Sequence, residues 1–311
     1  MISILEPQIT QSPVSNRIDA QDWTLATIRR SPQWQFTIPA SVLQEFHQHG
    51  HHPHAFLPLL DQWAVSLRQE LLTGTGIVHL CGLPQDTNEY FCRAFYLALG
   101  QRIGQPSDRY GLLYEVKDTG QSYQNSRIPI SQTNAETHFH TDSSAIDCIP
   151  TVVGLMCLRP GLSGGDSQVV SMPAVYRRLE AEYPGAVALL HQNYIRDIVT
   201  PGVEFSLNNL LKNQFPVFSH QAGFGLTFRY MRYWIERGHQ KAGIPLNTAQ
   251  LAAFDALDRT LNSPDLVLQF RLEAREILWV NNLKIAHNRT TYQDHPDSNQ
   301  RRLLLRMWLV L

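Results

Sequence analysis

Ile277-Leu-Trp-Val-Asn-Asn-Leu-Lys-Ile-Ala-His-Asn-Arg289 reads as two short strands, 277–281 and 283–288, rich in β-branched and aromatic residues. Further strand-like runs lie on either side, at 266–272 and 302–310. Upstream, Thr151-Val-Val-Gly-Leu-Met-Cys-Leu158 is an apolar run of buried-strand type. Gly74-Thr-Gly-Ile-Val-His-Leu-Cys-Gly82 is another, bounded by glycine, and Ser167–Ser171 is a shorter one. Helices are fewer. One spans 55–72, with Phe56, Leu59, Leu60, Trp63, Leu67 and Leu71 at helical spacing. Another runs from Asn88 to Leu99 and stops at Gly100 to Pro106. Residues 172–192 are helical with a break at Pro184-Gly185, and Asn247 caps a helix carrying Leu251, Phe254, Leu257 and Leu261. Residues 1–40 read as irregular. Many short strands with glycine turns and a few flanking helices predict a mainly β, α+β fold. Its core is a double-stranded β-helix of the jelly-roll, cupin-like type, not a parallel βαβ sheet.

The totals fit one globular unit. Of 311 residues, 43% are hydrophobic and 17% charged, and the net charge is −1. That balance points away from nucleic acid and from anionic membranes as partners. No run is long enough for a membrane span, and Met1–Ser15 lacks the pattern of a signal peptide. The four cysteines, Cys81, Cys92, Cys148 and Cys157, include no Cys-x-x-Cys pair. Cys81 and Cys157 sit in apolar runs as buried thiols, so a cytoplasmic, reducing setting is expected. The chain is expected to be a single domain over 1–311, with an N-terminal extension and helix at 1–70 and a helical or lid insertion at 193–263. The glycines at 74 and 76 precede a strand rather than follow one, which excludes a dinucleotide-binding loop.

Chemistry concentrates in His138-Phe-His-Thr-Asp142. In extended chain His140 and Asp142 point to one face, so an imidazole and a carboxylate can share a metal. A third ligand must come from elsewhere, and His287 closes a strand-like run. Two histidines and one carboxylate cap one face of an octahedral ion, the pattern of non-haem Fe(II) oxygenases. Arg302 and Arg306 lie four apart in an apolar strand and share a face. Guanidinium groups placed so need anions, either a protein carboxylate or a ligand carboxylate gripped by the planar fork. Residues 47–54 hold five histidines around Gly50 and Pro53, which reads as a solvated loop with adventitious metal affinity.

Taken in order, these segments resemble the taurine-dioxygenase-like family of Fe(II)/2-oxoglutarate oxygenases, clavaminate-synthase-like members included. The resemblance covers about residues 70–311. It rests on Gly76–Gly82, Leu99–Gly104, His140-Thr-Asp142, Gly164-Gly-Asp-Ser167, Asn281-Asn282, His287-Asn-Arg289 and Arg301–Trp308. It implies that His140, Asp142 and His287 bind iron. It implies that Arg302, or the adjacent Arg301, and Ser167 hold the distal carboxylate of 2-oxoglutarate. Arg306 matches a second active-site arginine that contacts substrate in some members. His138 is expected to line the pocket or act structurally, and Glu136 to be a solvated carboxylate. Where the family often has glycine after the distal histidine, this chain has Asn288.

The implied reaction consumes O2 and 2-oxoglutarate, releases succinate and carbon dioxide, and hydroxylates a small-molecule metabolite, anionic or amino-acid-like. Desaturation or cyclisation by the same chemistry is the alternative. Halogenation is disfavoured because Asp142 fills the position that halogenases of this type leave to chloride. A zinc-dependent hydrolase and a non-catalytic jelly-roll protein are the competing readings.

Overall fold

Alternation along three strands organises the molecule. The structure, a computed structural model, describes residues 20–50, 55–122, 128–143, 145–147, 149–199 and 206–311. The readings of Met1–Ser15, of His51, His52 and His54, and of Cys148 lie outside the described residues. Val152–Arg159 sits between Ile277–Asn281 and Leu303–Val310, antiparallel to both. Ile277–Asn281 then pairs with Ile77–Cys81, and that strand pairs in parallel with Gln35–Thr37. With Gln105–Pro106 and Tyr114–Val116 on the far side, these make a seven-stranded sheet. Successive side chains in a strand point to opposite faces. Val152, Met156, Trp279, Leu305 and Met307 therefore pack outward against Leu60, Leu67, Phe95 and Leu99. These last come from the helices Pro58–Thr73 and Glu89–Ile103. Val153, Cys157, Leu278, Val280 and Leu304 face inward, into the barrel.

A smaller sheet closes the barrel. Ser167–Ser171 lies between Leu268–Phe270 and Ile285–Arg289, antiparallel to each. His140 joins the free side of Ile285–Arg289 through an antiparallel bridge to His287, with both backbone N–H···O bonds at 2.9 Å. This is the expected jelly roll, with interior residues set between two facing sheets.

Three expectations change. Residues 20–40 are not irregular: Thr24 caps the helix Leu25–Arg30, and Gln35–Thr37 forms the sheet edge. The second helix does not stop at Leu99 but continues to Ile103. Gly100 serves contact there, because a Cβ at that position would lie 2.2 Å from Met307 Sδ. Where a helical or lid insertion is expected at 193–263, the described residues 193–199 and 206–261 form paired strands as well as helices, and these build a second core. Tyr194, Phe218, Phe228 and Tyr230 pack there with Phe254, Leu257 and the outer face of the small sheet. The insertion is a packed layer, and only part of it reaches the barrel mouth.

Gly154 gives a direct test of this packing. It pairs with Trp279 across the sheet, and a Cβ would meet the indole at 2.3 Å and Tyr96 Oη at 2.4 Å. Both neighbours are fully buried, so neither ring has room to move. Gly154→Ala is expected to destabilise the fold by roughly 1–3 kcal/mol, read as a lowered denaturation midpoint with an unchanged denaturant slope.

Candidate active site

The barrel brings His140, Asp142 and His287 together. One donor atom from each lies within 4.8 Å of the others. Asp142 Oδ1 is 3.5 Å from His140 Nε2 and 3.6 Å from His287 Nε2. His140 Nδ1 donates to the His138 carbonyl at 2.8 Å, which assigns the tautomer and leaves the Nε2 lone pair facing the centre. His138 adopts φ 55°, with its ring exposed, so its contribution to the centre is that carbonyl.

Asp142 is held from every side. Its backbone N–H donates to Asn282 Oδ1 at 2.8 Å, while Asn282 Nδ2 donates back to the carbonyls of Asp142 and Pro150. Trp308 Nε1–H donates to Asp142 Oδ2 at 2.6 Å, and Arg306 Nη1 lies 3.3 Å from the same oxygen. The second oxygen is thus engaged, and Oδ1 is left for the two imidazoles. Burial pushes the Asp142 carboxyl up, but Arg306 and hydrogen bonding with both histidines outweigh it and hold the group well below the usual range. Burial, then His140, lowers His287, which keeps that imidazole neutral. A carboxylate oxygen and two imidazole nitrogens are the donor set a divalent iron requires, so these residues suit the metal.

Two cavities meet at this centre, sharing Ser131, Thr137, His140, Asp142 and Arg306 as walls. The first runs inside the barrel and is lined by Ser167, Arg289 and Arg302. Arg302 is 5% exposed, lies 4.8 Å from the Tyr292 ring centroid, and has no partner for Nη1 among the described residues. Gly165 leaves the room: a Cβ there would stand 3.3 Å from Arg302 Nε. Arg301 is exposed, and its carbonyl accepts from Arg159 Nε. The second cavity is lined by Tyr110, Arg196, Met231 and Trp234.

Several neighbours escape sequence reasoning. Asn288 lies in regular strand, so no glycine is needed there; it donates to Glu136 Oε1 and Gln168 Oε1 and accepts from Thr137. Glu136 is accordingly a tethered carboxylate, not a freely solvated one. Arg289 is buried, fastens the 133–135 segment through the carbonyls of Thr133 and Ala135, and leaves Nε without a partner among the described residues. Burial, with Arg302 beside it, lowers its guanidinium to about 10. Strand parity was the available signal for Trp308, which shares a face with Arg302 and Arg306.

A jelly roll carrying a His-x-Asp and distal His triad beside a buried arginine defines a non-haem iron oxygenase. The chain belongs to the family described as taurine catabolism dioxygenase TauD, TfdA, whose profile matches residues 40–308. It is 29% identical to a uridine-5′-phosphate dioxygenase from Amycolatopsis sp, over 66% of this chain and 75% of the relative. It is 22% identical to the γ-butyrobetaine dioxygenase of Homo sapiens, over 75% of this chain and 56% of that protein. Among solved structures it is similar to asparagine oxygenase in complex with Fe(II), 2S,3S-3-hydroxyasparagine and succinate. The TM-score there is 0.67 at 17% identity, over 89% of this chain and 93% of that one. The non-heme iron oxygenase OrfP in complex with Fe and α-ketoglutaric acid has a TM-score of 0.62 at 13% identity, over 89% and 94% of the two chains. The protein is a non-haem iron- and 2-oxoglutarate-dependent dioxygenase. Among the described residues no helix is long and apolar enough to cross a membrane.

Proposed function

We propose that His140, Asp142 and His287 hold the iron, and that Arg302 with Ser167 holds the distal carboxylate of 2-oxoglutarate in the inner cavity. The observation that carries this reading is Arg302: a buried guanidinium, open at Nη1, with no carboxylate within 4.0 Å among the described residues. Such a group is costly unless an anion meets it. A dicarboxylate that chelates the metal at one end supplies that anion at the other. A zinc hydrolase has no use for it.

Bound iron and 2-oxoglutarate supply oxygen activation coupled to decarboxylation, yielding succinate, carbon dioxide and a hydroxylated product. The chain's own residues set where this happens. Asn282 fixes the Asp142 backbone, and Trp308 and Arg306 fix its second oxygen. Val153, Val169, Leu278 and Val280 line the inner cavity with apolar surface and exclude water from it. The outer cavity, between His140 and Trp234, receives the substrate. Its small size and arginine lining favour an anionic or amino-acid-like metabolite, and hydroxylation over desaturation or cyclisation is the default outcome. We place 1–311 in one domain, since 193–263 packs on the small sheet, and assign the enzyme to the cytoplasm from its cysteine usage and balanced charge.

Anaerobic titration with Fe(II) and 2-oxoglutarate tests the reading. A weak visible charge-transfer band that saturates at one equivalent of each is expected, and O2 should then release one succinate. Zinc-supported hydrolysis with no such band is the result that would sink it.

A further inference from the structure

We infer that Arg196 is the anion-recognising residue of the outer cavity and binds an oxyanion, carboxylate or phosphate, of the primary substrate. This rests on the reading of the iron and 2-oxoglutarate site given above, and it assigns substrate contact to the 193–240 layer instead of to Arg306. Two arginines line the outer cavity, Arg196 and Arg306. Arg306 is already occupied. It pairs with Asp142 Oδ2 at 3.3 Å and is ringed by Tyr110, Tyr114 and Trp308, whose centroids lie 4.8–5.7 Å away. A substrate anion placed on Arg306 would compete with the metal's own carboxylate.

Arg196 differs in each respect. It is 2% exposed and has no carboxylate within salt-bridge distance among the described residues. The adjacent Asp197 does not neutralise it, because both Asp197 oxygens accept from Lys241, at 2.7 and 2.8 Å. Arg196 Nη2 is anchored on the carbonyls of Pro216 and Arg229, and the guanidinium lies 3.9 Å from the Phe215 ring centroid. Nε has no partner among the described residues. Arg229 stacks on the same ring at 3.5 Å, so a second cation raises the cost of leaving this charge unmatched. The guanidinium is pre-oriented and buried in the wall of a cavity that opens on His140 and Asp142, and it still requires an anion. A pre-oriented fork of this kind is the residue type suited to carboxylate and phosphate.

The test uses the anaerobic protein loaded with Fe(II) and 2-oxoglutarate, so that Arg302 is already filled. Inorganic phosphate and acetate are titrated separately while tryptophan fluorescence is followed, since Trp234 and Trp308 line the cavity. Saturable quenching by at least one anion is expected, and the two arms tell phosphate from carboxylate recognition. Arg196→Gln should weaken that binding at least about tenfold, with Arg196→Lys recovering part of it. Val199→Glu, which adds a negative charge to the same wall without touching the arginine's anchors, should weaken it as well. It carries the test if Arg196→Gln melts early. No saturable response to either anion in the wild type, or full binding in Val199→Glu and in a folded Arg196→Gln, overturns the inference. The charge-transfer band recorded before each titration separates the two readings. If the band is absent, the iron and 2-oxoglutarate assignment fails; if it is normal and no anion binds, only the role of Arg196 fails.

Discussion

His140→Ala is expected to abolish the visible band formed anaerobically with Fe(II) and 2-oxoglutarate, and to lower succinate release by more than about a hundredfold. The size follows from its place. Loss of a residue that merely orients a ligand costs about 10–100-fold in metal affinity or activity, and on the proposed assignment His140 is itself one of three ligands. The fold should survive, because the bridge to His287 is made by backbone atoms, at 2.9 Å in each direction, which the substitution leaves in place. A melting temperature near that of the wild type, together with loss of the band, is the expected pair of results. Retention of both band and turnover would remove His140 from the ligand set and bring His138 back into consideration.

The second large effect is on co-substrate affinity. Arg302→Ala should raise the 2-oxoglutarate concentration needed for half-maximal succinate release by about thirtyfold or more. Truncating one partner of a buried, hydrogen-bonded charge pair costs about 2–5 kcal/mol, and each 1.4 kcal/mol is tenfold. Stability should move differently. Without 2-oxoglutarate the wild type buries an uncompensated guanidinium, so the apo variant should melt no lower than the apo wild type. Arg301→Ala is the control, since that side chain is exposed and should leave the co-substrate dependence unchanged. An unaltered 2-oxoglutarate requirement in Arg302→Ala, with Arg301→Ala impaired, would reverse the assignment.

Much of this arrangement was legible from local pattern, and what was not has a physical reason. Period-two alternation from Arg302 to Val310 put both arginines on one face, and the apolar run at 151–158 announced a strand covered on both sides. Asn247 could be read as a cap, and the helix runs from Thr248 to Leu261, with Asn247 and Gln250 closing its first turn. The 193–240 layer was opaque because its short strands are only three or four residues long. Such segments are held by contacts to Phe254 and Leu257, far along the chain. The same holds at the site. Asn282 secures Asp142 from 140 residues away, and Asn288 reaches Glu136 across 152. No spacing rule reports partnerships of that range. Ser167 and Arg306 were visible as residues, but the hold of Arg306 on Asp142 was not.

The strand Leu303–Val310 also acts as a ruler. Arg306, on the iron side, touches Asp142, and Arg302 stands on the same face two side-chain steps earlier. Fully extended chain rises about 3.3 Å per residue, so at most roughly 13 Å of backbone separates the two guanidinium-bearing positions. If Arg302 holds the distal carboxylate as proposed, a keto acid anchored at the metal meets it only when its chain is the right length. Shorter 2-oxo acids would chelate but leave Arg302 unmet, and longer ones would press against Tyr292. On the proposed assignment, selection among 2-oxo acids is expected to follow from the backbone spacing between Arg302 and Arg306.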